Sequence, residues 1–268
     1  MTKRVISVFL CVLCVISSIS FIVSAKENKE YTSDNFLSVA DGIIAWKKAD
    51  NGSEPDGYLI NDKYLENAGT TPGDWYPIAL GRLGIQDNNE GYLAVIKDRV
   101  EERYRESGRL SAAKATEWHR IALAVLAMGG DPTNFGTDEN GAPINLIADG
   151  TYDRGKTTPL GRQGINGWIW GLITLDSMRY TVPDGAYNTR DDIIVEIISK
   201  QLSDGGFALS SDDADPDITA MAITALAPYY NSEKIYSYHR KALSADESKT
   251  VHEVVDEAVL CLSRLQLD

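Results

Sequence analysis

Three cysteines in 268 residues, two of them within the first 14, leave little for a disulfide framework. Histidine is as scarce, at three residues, so Ser-His-Asp or Cys-His catalysis finds few partners: no nucleophile sits at a suggestive spacing from His119, His239 or His252. Cations are outnumbered, 26 Lys and Arg against 39 Asp and Glu. A net charge of −13 excludes a broad basic face, and with it nucleic acid and anionic membrane surfaces as expected partners. Proline, at 9 residues, is too sparse for a Pro-rich chain. Strand-length runs of alternating β-branched residues are missing as well, which leaves helix as the dominant element.

What is present begins with a leader. Lys3 and Arg4 precede an almost wholly apolar run from Val5 to Val23, and Val23-Ser24-Ala25 supplies the small residues of a cleavage site. The reading is a signal peptide over 1–25, a short linker over 26–35 and a repeat domain over 36–268. The alternative is an uncleaved anchor, because the run is long enough to cross a bilayer. Cleavage would send the protein outside the cell or to its surface and take the net charge to −15. It would also remove Cys11 and Cys14, so the core would be held by packing without disulfides.

The rest of the chain repeats. Asp74 to Leu80, Glu117 to Leu123, Asn166 to Leu172 and Asp217 to Ile223 align without gaps. With the acidic or amide residue at position zero, position five is small (Ala79, Ala122, Gly171, Ala222). Position six is aliphatic, and position nine is Leu each time (Leu83, Leu126, Leu175, Leu226). Positions two, five, six and nine make the buried stripe of a helix. The starts lie 43, 49 and 51 residues apart, the period of a two-helix repeat. Between them, Asn35–Lys48, Glu90–Arg105, Arg190–Leu202 and Val251–Leu265 read as amphipathic helices, with a shorter piece near Asn145–Asp149. The fold class is all-α, alternating inner and outer helices.

The run Gln201-Leu202-Ser203-Asp204-Gly205-Gly206-Phe207, followed by Asp215-Pro216-Asp217-Ile218-Thr219-Ala220, resembles the prenyltransferase/squalene-oxidase repeat, as do residues 126–132 and 170–177. The resemblance runs from about Phe36 to the end and implies an α/α toroid, inner helices around a cavity and outer helices on the rim. Residues 262–268 match 198–204 and stop where the next Gly-Gly turn would follow, so the ring is expected to be incomplete or open. The superfamily contains terpene cyclases, prenyltransferase β subunits and cobalamin carriers, and so implies no single chemistry.

A class II cyclase resembles this chain at Asp215 and Asp217, with Asp217 as the acid that protonates an alkene, but Ile218 replaces the third aspartate. The plainer alternative is that Asp217 caps a helix and its neighbours solvate the turn. A zinc prenyltransferase site lacks its ligands, since Cys261 reads as a small buried hydrophobe. No thioester motif or Asp-Asp-x-x-Asp is present, and no metal or cofactor is expected. The remaining signal is aromatic: Trp75, Tyr76, Trp118, His119, Trp168 and Trp170 fall in the first turns of inner helices, beside Asp74, Glu117, Arg120 and Asn166. On a toroid they would meet at one mouth and form an apolar pocket with polar handles for a small molecule, a corrinoid or hydrophobic ligand first. A protein partner there, or a structural role as a surface or adhesion module, are the other expectations. Tyr229, Tyr230, Tyr236 and Tyr238 read as a loop.

Overall fold

The computed structural model describes residues 32–154 and 159–266. The expected leader over 1–25 and most of the expected linker lie outside the described residues. The molecule is mostly helical, 57% helix with one two-stranded sheet. No helix among the described residues is long and apolar enough to cross a membrane.

Two compact units divide the described residues: 32–110 with 120–144, and 111–119 with 145–266. The first contains α1 (Ser33–Asn51), α2 (Asp62–Leu65), α3 (Thr71–Leu83), α4 (Asn89–Ser107) and, from Arg120 onward, α5 (Ala115–Ala127). Each start has a local reason. The Thr32, Asn61 and Asn88 side chains accept hydrogen bonds from first-turn N–H groups of α1, α2 and α4. Gly52, Gly84 and Gly108 end α1, α3 and α4 in the left-handed conformation. Pro77 inside α3 cannot donate to the carbonyl of Gly73, and the Tyr64 hydroxyl donates to that oxygen instead, at 3.0 Å. Tyr92, Ile96, Val100 and Tyr104 form the buried stripe of α4.

The second unit takes the start of α5 through His119 and continues with a π-helical turn at Ala148–Tyr152 and a 3₁₀ turn at Leu160–Gln163. It is completed by α6 (Ile165–Asp176), α7 (Arg190–Ile198), α8 (Pro216–Leu226), β1 (Ile235–Arg240), β2 (Ala245–Thr250) and α9 (Val251–Leu265). α6 packs on α7 and α8, and α9 packs on α8. Capping boxes start α7 at Thr189/Asp192 and α9 at Thr250/Glu253.

All four aligned segments are helical, and their position-five residues are buried without exception. The amphipathic segments between them are helices too, except that the piece near Asn145–Asp149 is the π-helical turn. The hairpin is the departure from an all-α chain. Tyr236 and Tyr238, read as loop residues, face inward from β1 with Arg240, while Ile235, Ser237 and His239 face out. β2 pairs antiparallel with β1, Tyr236 opposite Lys249 and Tyr238 opposite Glu247. The alternation in β1 is carried by two tyrosines and an arginine, and β2 (Ala-Asp-Glu-Ser-Lys-Thr) is polar after its first residue, so neither strand shows a run of alternating β-branched residues.

Candidate functional site

The Gly-Gly turn is the best-defined constellation, and every residue of its motif has a structural task. Gln201 is fully buried, and its Nε2 donates to the carbonyls of Gly205 (2.8 Å) and Val254 (2.9 Å). Asp204 accepts from the N–H of Gly206 at 2.9 Å. At Gly206 a Cβ would fall 2.4 Å from the Cβ of Ala214 and 2.8 Å from the Cys261 sulfur, so only glycine lets the turn, α8 and α9 close on one another. Phe207 is buried; its N–H donates to Thr219 Oγ1 (2.9 Å), which donates back to the Phe207 carbonyl (3.2 Å). Gln201, Gly206 and Phe207 staple the loop to two helices from buried positions, while Asp204 braces the turn from an exposed one.

The acidic cluster beside that turn serves the start of α8. Asp215 is the N-cap, its Oδ1 accepting from the N–H groups of Asp217 (2.8 Å) and Ile218 (3.0 Å). Asp217 stands exposed in the first turn, where a carboxylate faces the positive end of the helix. The cap is therefore Asp215, two residues before the expected Asp217.

The helix-start set divides between the two units. In the first, Asp74 is completely buried and fully used. Its Oδ1 accepts from the Gly69 N–H and the Tyr92 hydroxyl, each at 2.7 Å, and its Oδ2 from Arg120 Nε at 2.7 Å. Arg120 also donates to the Gly69 carbonyl (3.1 Å) and to Thr71 Oγ1 (3.2 Å). Burial raises the Asp74 carboxyl above its ordinary range, while Arg120, Tyr92 and the Gly69 amide work the other way. Trp75 and Tyr76 are half-buried; the Tyr76 ring meets Tyr64 edge-on at 6.4 Å, with the Lys47 ammonium 5.7 Å from its centroid.

In the second unit, Trp118 and His119 are buried, not at a mouth. The Arg154 guanidinium lies 4.9 Å from the centre of the Trp118 ring. His119 Nε2 meets the Gly150 carbonyl at 2.7 Å, and because a carbonyl only accepts, this nitrogen carries the proton. Its Nδ1 has no hydrogen-bond partner among the described residues. Burial pushes the imidazole down to about 3 against that hydrogen bond, and Arg154 adds to the fall, so His119 is neutral at ordinary pH. Gly150 in the π-helical turn and Gly171 at position five of α6 both approach this ring closely.

Glu117, Asn166, Trp168 and Trp170 are half-buried. The Trp168 ring lies against Gly161 of the 3₁₀ turn. Gln163, from the same turn, accepts from the N–H (3.2 Å) and hydroxyl (3.1 Å) of Thr116, which fixes the start of α5. Among the described residues no group of three or more His, Cys, Asp and Glu stands where it could hold a metal ion. Sequence reasoning did not single out Arg240, which is buried and donates to the carbonyls of Gln201 (3.1 Å) and Leu202. Arg240 and Lys249 also close a ring of ion pairs with Glu247 and Glu257. Burial opposes ionisation of Glu247, but the two cations hold it below the usual carboxylate range.

Comparison of the chain with family models, with curated proteins and with solved structures finds no match.

Proposed function

We propose that this chain is a helical-repeat module of the α/α-toroid class, secreted or held at the cell surface, that binds its ligand without transforming it. The ligand is a small molecule of corrinoid or hydrophobic type, or a protein, held at the starts of inner helices. One observation carries the reading: Trp168 and Trp170 stand half-buried at the start of α6, two and four residues after the half-buried Asn166. Large aromatic surface next to a few polar groups is the usual make-up of a ligand site. In the other unit Tyr76 occupies the repeat position of Trp168, with Trp75 beside it. Acid catalysis finds less support, because an acid that protonates an alkene must be shielded from water, whereas Asp217 is exposed and Asp215 is committed to capping.

The test is a fluorescence titration of the full chain with cyanocobalamin and, separately, with a lipid extract. Saturable quenching that disappears in Trp168→Ala/Trp170→Ala, with the helical circular dichroism signal retained, supports the site. Equal affinity of variant and parent refutes it.

A further inference from the structure

Helix α1 is long but scarcely packed. Among its 19 residues only Ala40 is buried, with Phe36, Ile43 and Ile44 half-buried on the same side. Helices in folded proteins draw most of their stability from a packed apolar face. The opposite side of α1 meets solvent without a charge: Ser38, Val39, Gly42, Ala45, Trp46 and Ala49 are all exposed. Val39 is 60% exposed and Trp46 57%. A Cβ at Gly42 would meet nothing within 4 Å. In a chain of which 24% is charged, an uncharged helix face that holds an open tryptophan marks an interaction surface.

The edges of that face say what fits it. Val39 and Trp46, seven residues apart, line one edge; Asp41 and Lys48, also seven apart, line the other. Neither Asp41 nor Lys48 has an ion-pair partner among the described residues. Lys48 donates to the Pro55 carbonyl at 3.1 Å, which leaves two of its three N–H groups over. Seven residues of helix separate the two charges by about 10 Å along the axis, too far for them to pair with each other.

We propose that α1 pairs antiparallel with α1 of a second copy of this chain. A two-fold contact must be self-complementary, and this face is. With Gly42 set against Ala45 of the second copy, Asp41 meets that copy's Lys48, and Lys48 its Asp41. On the other edge Val39 meets Trp46, again twice. Antiparallel packing also opposes the two helix dipoles. A parallel pair would set Asp41 and Lys48 beside Val39 and Trp46 and leave the charges unmatched. The face shares no residue with the helix-start set, so it stands or falls independently of that proposal.

Sedimentation equilibrium of the full chain tests the pairing, and a monomer–dimer equilibrium is expected. Trp46→Glu, at an exposed position, should weaken the dimer roughly tenfold or more while the helical circular dichroism signal stays unchanged. Asp41→Lys sets like charges opposite each other and should weaken it roughly tenfold. Asp41→Lys/Lys48→Asp restores both pairs with their signs exchanged, and should return the dissociation constant to within about threefold of the parent. A chain that stays monomeric up to about 100 μM overturns the proposal. So does association that Trp46→Glu leaves unchanged, which would place the contact elsewhere in the chain. A double variant no tighter than Asp41→Lys also overturns it, because the antiparallel register requires the rescue.

Discussion

Truncating Asp74 to alanine would leave the Gly69 amide, the Tyr92 hydroxyl and the Arg120 guanidinium converging on an empty, buried position. Breaking a buried pair from one side costs about 3–5 kcal/mol. Asp74→Ala is therefore expected to shift the urea midpoint sharply downward, and a shift worth less than about 1 kcal/mol would show that the carboxylate is not anchored as described. His119 makes the opposite demand, since it is buried as a neutral ring. Its folded pKa, about 3, lies below the unfolded value near 6.5, so the unfolded chain binds the extra proton between those limits. Its contribution is whole above pH 6.5 and drains away as pH falls toward 3, by up to about 5 kcal/mol. His119→Gln should flatten the acid limb of the stability profile; an unchanged limb would mean that other groups set it. Neither role was legible beforehand. Asp74 and Arg120 read as handles for a ligand because sequence shows residue type and spacing, not that partners 46 residues apart will meet.

At the scale of elements, spacing carried most of the information. The four aligned helices and the long amphipathic ones between them follow apolar periodicity and cap residues, both local signals. The cap of α8 was misplaced by two residues because Asp215 and Asp217 are chemically alike, and only backbone geometry tells N-cap from first turn. The hairpin stayed hidden because what holds it is long-range: Arg240 on the Gln201 carbonyl, and Tyr236 on Asp191 at 3.0 Å. The Gly-Gly turn was recognised by pattern, but its reason is tertiary closeness. Gly206→Ala forces a methyl group into Ala214 and Cys261 and is expected to cost about 1–3 kcal/mol. Adding Ala214→Gly should recover part of the loss in thermal melts. No recovery would place the strain elsewhere in the turn.

On the scale of the whole molecule, composition limited the partners and the repeat announced helices, but a ligand site needs surface that packing leaves unused. Of the ten helix-start residues picked from sequence, Asp74, Trp118 and His119 are consumed by the core and Arg120 by Asp74. Trp75, Tyr76, Glu117, Asn166, Trp168 and Trp170 remain half-buried. Periodicity places all ten on equivalent turns and cannot sort them, because burial depends on which neighbours arrive from distant segments. The binding proposal rests on those that remain. Native mass spectrometry of the full chain, after incubation with cobalamin and a lipid extract, tests it most directly. A retained mass increment, lost in Trp168→Ala/Trp170→Ala, is the predicted result. A clean apo mass under conditions that keep the helical fold intact would contradict the account.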